Sequence, residues 1–225
     1  MEFRYVGRIS PAEQVLGQLT TLIESGRLAV GSLLPPERQL ALEMGVSRVV
    51  IREAAKKLEQ RGLVNIKHGV GIEVVNDPSI PLQQTLSRML PRDKQRLRQC
   101  AEARLLIEPE LAALAASRTT PAALRRLEAT HEALGQARNI SDACALDIKF
   151  HDRIAELAGN KVMGLMLQSV AELGRLSRRV TMERVGPEKA YGHHKEIFAA
   201  IASGNSSDAR KAMKRHMEAA LKDLS

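Results

Sequence analysis

Residues 63–75 interrupt a chain that is otherwise helical in pattern, and that interruption limits the folds open to it. Val64, Ile66, Val70, Ile72, Val74 and Val75 are β-branched, with Lys67-His68-Gly69 set among them, which reads as a small hairpin. Three helices are predicted ahead of it. Ser10-Pro11-Ala12-Glu13 is a capping box with proline at the first helical position, and Val15, Leu19, Leu22 and Ile23 follow at helical spacing before Gly26. Pro35-Pro36-Glu37 opens a short second helix that Gly45 closes. Ser47 then caps a third, which turns Val50, Ile51, Ala54, Ala55 and Leu58 inward and ends at Gly62.

Behind the hairpin, Asn76-Asp77-Pro78-Ser79-Ile80-Pro81 combines turn formers with two prolines and predicts a linker. From there the pattern is helical, Ala- and Leu-rich. Thr120-Pro121, Ser141-Asp142, Asn160 and Ser206 or Ser207 are its start signals, and Gly135, Gly159, Gly186 and Gly204 its stops. Short connections make successive helices antiparallel neighbours. The fold predicted is mainly α: a winged helix-turn-helix over 1–76, a linker at 77–82, and an all-α bundle of six or seven helices over 83–225.

Composition narrows the function. A net charge of +8 favours a polyanionic partner. The excess marks no face, because residues 1–75 hold ten Lys and Arg against eight Asp and Glu. With no Trp, three Phe and two Tyr, the chain lacks stacking platforms for single-stranded bases, so a nucleic-acid partner should be duplex. Cys100 and Cys144 sit far apart in helical stretches, which argues against a disulfide framework and suits a reducing cytoplasm. The opening MEFRYVGRIS lacks a signal-peptide core, and no run nears the roughly 18 apolar residues that span a bilayer.

A short helix, a turn at Gly45 and a second helix presenting Ser47, Arg48 and Arg52 near its start form a helix-turn-helix pattern, whose second helix enters the major groove. Arginine there can fork onto guanine or clamp phosphate. The hairpin tip at His68 and Gly69 would meet the adjacent minor groove. The stretch Gly31-Ser32-Leu33-Leu34-Pro35-Pro36-Glu37-Arg38-Gln39-Leu40-Ala41, with Gly45-Val46-Ser47-Arg48, Ile51-Arg52-Glu53-Ala54, Gly62-Leu63-Val64 and His68-Gly69-Val70-Gly71, resembles the GntR-family winged helix. The resemblance implies that Arg38, Arg48 and Arg52 contact phosphate and guanine, that Ser47 contacts the backbone, and that His68 and Gly69 are wing contacts. Val49 departs from it, standing where relatives often carry Thr or Ser.

In the second half, Asp147 and His151 are four apart on one predicted helix and point the same way, and His194 and His216 fall on later helices. One carboxylate and three imidazoles converging in a bundle would suit a divalent transition metal; isolated core or surface histidines fit the same spacing. His131 and His193 are read as such. Glu102-Ala103-Arg104, Glu108, Asp147-x-x-Phe150-His151, Gly159-Asn160, His194-x-x-Ile197 and Asp208-Ala209 through His216 are similar to the FCD-type effector domain of the FadR subfamily. That likeness implies a metal held by Asp147, His151, His194 and His216, with zinc ahead of nickel, manganese and iron, and an organic acid beside it. Asp147 can ligate directly or act behind a ligand. Arg104 either faces the pocket and pairs with the acid or bridges to Glu108 one turn along. The runs Arg92-Lys94-Arg96-Arg98 and Arg175-Arg178-Arg179-Arg184 read as solvated faces.

The expectation is a cytoplasmic homodimer that binds a pseudo-palindromic duplex operator as a repressor. A sugar acid, hydroxy acid or dicarboxylate would release it, with no membrane involved. Two rivals stand: a metal-dependent enzyme acting on a carboxylated metabolite, disfavoured because no Walker loop, His-Glu-x-x-His or Gly-x-Ser-x-Gly occurs, and an acyl-CoA-responsive regulator of the same subfamily.

Overall fold

The computed structural model describes residues 9–91, 93–171 and 173–224. Arg92 and residues 1–8, on which the signal-peptide reading rests, lie outside them. The described chain divides into two compact units, one ending at Leu82 and the other beginning at Gln83.

The first unit is a three-helix module with a wing: α1 (Pro11–Glu24), α2 (Glu37–Glu43), α3 (Arg48–Gln60), β1 (Val64–Lys67) and β2 (Gly71–Val74). Ser10 caps α1 by accepting from the Glu13 N–H at 3.2 Å. The Glu13 carboxylate takes Lys57 of α3 at 2.7 Å. Val15, Leu16, Leu19 and Ile23 of α1 pack on Ile51, Ala54, Ala55 and Leu58 of α3, and Val64, Ile72 and Val74 of the hairpin close the same core. The strands pair antiparallel, Val64 with Val74 and Ile66 with Ile72. Gly45, at φ 64°, makes the left-handed turn between α2 and α3 that a residue with a side chain rarely adopts.

The linker expected at 77–82 overlaps a helix, α4 (Ser79–Met89). Pro81 falls in its first turn, where a missing N–H forfeits no helical bond.

The second unit holds α5 (Lys94–Arg118), α6 (Pro121–Gly135), α7 (Ile140–Ala158), α8 (Lys161–Ala171), α9 (Arg175–Val185), α10 (Pro187–Ala202) and α11 (Ser206–Asp223). Thr120 caps α6 and Asn160 caps α8 as expected. The caps of α7 and α11 are Asn139 and Asn205, ahead of the serines that the sequence suggests. An asparagine carbonyl at the Ncap satisfies the orphan N–H as well as a serine does. Helix α5 runs through the middle, packed against α11, α7, α8 and α10. Leu111, Leu127, Phe150, Ile154, Ile197, Ile201, Met213 and Met217 form the core. Helices α7, α10 and α11 thus bring separate stretches of chain to one interior point beside α5.

Candidate nucleic-acid face and metal centre

In the first unit, Arg38, Ser47, Arg48 and Arg52 are all exposed, at the start of α2 and along the first turns of α3, and His68 and Gly69 are exposed at the hairpin tip. Ser47 caps α3 by accepting the Val50 N–H at 3.4 Å, which leaves its hydroxyl hydrogen free to donate. Glu37, not singled out from sequence, organises this face. Its Oε2 lies 2.7 Å from Arg52 Nε and 3.8 Å from Arg48 Nη2, so one carboxylate holds two guanidiniums side by side. Val49 is 71% exposed beside them, an apolar side chain of the kind that packs on thymine methyls.

In the second unit, Asp147 and His151 from α7, His194 from α10 and His216 from α11 each turn one ligand atom to a common point, all within 4.8 Å of one another and all buried. His194 Nε2 lies 3.3 Å from Asp147 Oδ1, His151 Nε2 lies 3.9 Å from it, and His216 Nε2 lies 3.3 Å from His151 Nε2. Surrounding groups fix which atoms face the centre. His151 Nδ1 meets Glu108 Oε2 from α5, which places the ring proton there and leaves the Nε2 lone pair inward. Glu108 Oε1 takes Arg104 Nε at 2.5 Å. Arg178 Nε of α9 donates to Asp147 Oδ2 at 2.8 Å, so Oδ1 is the oxygen turned to the imidazoles.

The electrostatics keep protons off two of the imidazoles. Burial pushes the His194 imidazole down to about 4, with Asp147 opposing, and burial together with the neighbouring imidazoles holds His216 well below its usual range. Both are therefore neutral near pH 7, the form in which an imidazole can ligate a metal. Burial raises the Asp147 carboxyl, but His151, His194 and Arg178 outweigh it and keep Asp147 ionised; Arg104 and His151 do the same for Glu108. Among the described residues both ring nitrogens of His194 lack a well-formed hydrogen bond although the side chain is buried. A cation at the common point would take one of the two, Nε2, which faces Asp147. The residues present therefore fit a metal.

A cavity of about 50 Å³ opens against this centre, lined by Arg104, Asp147, Ser177, Arg178, Thr181 and His216 among others. Arg104 bridges to Glu108, the second of the two readings made of it, and also lines the cavity. Arg178 corrects the sequence reading. Its arginine-rich run suggests a solvated face, yet it is 4% exposed, because Ser177, Arg178 and Met182 form the inner face of α9 while Arg175 and Arg179 point out. His193 lines the same cavity, and His131 is buried, its ring stacked on Tyr191 at 4.3 Å.

A winged helix with an exposed arginine pair, carried on one chain with a bundle that holds a buried Asp and His cluster beside a cavity, defines a one-component DNA-binding regulator. Residues 11–74 match the gntR family of bacterial regulatory proteins and residues 99–219 match the FCD domain. The chain belongs to the gntR family, with an FCD domain as its second unit, and is a transcriptional regulator and not an enzyme. It is 29% identical over 203 residues to the HTH-type transcriptional regulator LutR of Bacillus subtilis, covering 87% of this chain and 93% of LutR. It is 32% identical over 219 residues to the Uxu operon regulator of Haemophilus influenzae, covering 90% and 78%. Among solved structures it is similar to Streptococcus agalactiae GntR, with a TM-score of 0.67 and 29% identity over 94% of this chain and 99% of that one. No helix among the described residues is long and apolar enough to cross a membrane.

Proposed function

We propose that this regulator is a cytoplasmic repressor of the FadR subfamily. It binds a duplex operator as a homodimer and is released by a small organic acid sensed at a metal site in the FCD domain. On the DNA side, Arg48 and Arg52 read the major groove from α3, Arg38 and Ser47 hold phosphate, and His68 and Gly69 bring the wing tip to the minor groove. A homodimer presents two such faces to a pseudo-palindrome, which is why operator symmetry and protein symmetry go together.

On the sensing side, Asp147, His151, His194 and His216 would hold the metal, with zinc first among divalent transition ions. The observation that carries the reading is the make-up of the buried centre: four ligand atoms within 4.8 Å, flanked by two guanidiniums and a second carboxylate. Arg104 and Arg178 balance Glu108 and Asp147, so a divalent ion, when bound, brings a positive surplus and open positions that suit a carboxylate. Arg104 orients the acid from the cavity wall. Release from DNA then requires that the acid bind the DNA-incompetent arrangement of the dimer more tightly than the competent one.

The test is a thermal-shift screen of sugar acids, hydroxy acids and dicarboxylates against protein loaded with zinc. A ligand that binds only the native state raises the melting temperature. At least one acid should do so in the zinc-loaded wild type and fail in His151→Ala and His194→Ala. If no acid shifts the zinc-loaded wild type, the sensing reading is wrong.

A further inference from the structure

We infer that Val49 is a specificity-determining residue of the DNA face and reads the C5-methyl group of a thymine in each half of the operator. The inference rests on the DNA-binding reading above and gives that face a base that it selects. It starts from a side chain that the fold leaves bare. The other large apolar residues of α3 turn toward the core of the first unit: Ile51 and Leu58 are buried and Val50 is partly covered. Val49 is 71% exposed, one residue after Arg48 and three before Arg52. A lone exposed valine is ordinary on a protein surface. What sets this one apart is its place at the start of the helix that enters the groove, where side chains reach base edges.

Glu37 helps to keep it bare. Its Oε2 takes Arg52 Nε at 2.7 Å and lies 3.8 Å from Arg48 Nη2, which draws both guanidiniums toward α2. Arg48 and Arg52, four apart, share one face of α3, and Val49 is turned about 100° away from Arg48. One turn further along, the Glu53 carboxylate is held by Lys57 at 3.1 Å, so its charge is offset. The Val49 side chain brings no donor and no acceptor to the groove. Set against cytosine or adenine it would cover an amino group without offering an acceptor, and against guanine it would cover O6 or N7 without offering a donor. Thymine alone presents a methyl group on the major-groove edge, and contact with it buries apolar surface on both partners. Val49 thus discriminates by cost against three bases and by gain at the fourth.

The full-length protein is footprinted on duplex DNA from its own promoter region, and each thymine in the protected stretch is replaced in turn by uracil, which lacks only the C5-methyl. Affinities are read by fluorescence anisotropy. One position in each half-site should lose about fourfold, the worth of one buried methyl, and the two together about fifteenfold. Val49→Ala, with an unchanged melting temperature, should bind the unmodified duplex several-fold more weakly. Its salt dependence should match the wild type, because no phosphate contact is lost. Uracil at the sensitive positions should cost it less than about twofold. Val49→Ile, which keeps an apolar tip, should retain the uracil penalty. Cytosine at a sensitive position should weaken the wild type more than uracil does, and 5-methylcytosine should recover part of that loss. Three results overturn the inference: no uracil-sensitive position, a penalty undiminished in Val49→Ala, or 5-methylcytosine no better than cytosine. The DNA-binding reading survives each of them, provided that the Arg48→Ala, Arg52→Ala double variant loses the same duplex. A protein that protects no stretch at all removes that reading itself.

Discussion

Glu108 does two things at once: one oxygen takes Arg104 and the other fixes the ring of His151. Orienting partners of this kind typically contribute about 10–100-fold to metal affinity. Glu108→Gln should therefore weaken zinc binding by about that factor in a chelator competition, with the winged helix still folded; unchanged affinity would show that His151 needs no such support. Titration gives a second prediction. His194 titrates at about 4 in the folded chain against an ordinary 6.5, so between those values the unfolded chain binds a proton that the native one refuses. Stability of the metal-free protein must then fall as pH drops through that window. Below it the loss continues, because Asp147 and Glu108 are held under their ordinary carboxylate values of 3.8 and 4.5. Melting temperatures of chelator-treated protein that stay flat from pH 7 to 4.5 would contradict this. The four candidate ligands were legible in the sequence only through a family likeness; helix spacing by itself paired Asp147 with His151 and no more. The supporting groups were not. Glu108 meets His151 across two helices, which local spacing cannot encode, and Arg178 was hidden in an arginine run. Only its place four residues before Met182, on the face of α9 that is buried, would have set it apart.

Helix α3 is held by Ser47 at its start and by Gly62 just beyond its end, and the second is the stricter position. Gly62 sits at φ 71°, and a Cβ there would stand 2.0 Å from the Asp77 carbonyl oxygen. Backbone and not a movable side chain blocks it, and the Asp77 N–H also donates to the Gly62 carbonyl. Gly62→Ala should cost more than about 2 kcal/mol. The loss should show in chemical denaturation and as faster hydrogen exchange in α3 and the wing, with α5, α7 and α11 unaffected. A neutral substitution would mean that the exit from α3 is wrongly described. Helices and hairpin of the first unit were readable because capping, periodicity and β-branching all agreed there. The start of α4 was not, because two prolines read as a break when one of them lies in a first turn that tolerates it.

At the scale of the molecule, two compact units divide the labour, and the chemistry assigned to each is separable by mutation. Arginines on α3 should govern DNA affinity without touching metal content, and the buried centre should govern acid binding without touching the arginines. The winged helix and the helical bundle were evident from the switch in periodicity at residues 63–75. How the acid's binding reaches the operator was not, because coupling is a difference between two arrangements and a sequence specifies neither. The most direct test of that coupling is fluorescence anisotropy of zinc-loaded protein on duplex DNA from its own promoter region, with and without the acid that gives the largest thermal shift. A regulator coupled in this way should bind tightly and lose at least tenfold in affinity to the acid, with binding lost by the Arg48→Ala, Arg52→Ala double variant and retained but insensitive to acid in His194→Ala. Promoter affinity unchanged when both arginines are removed would contradict it.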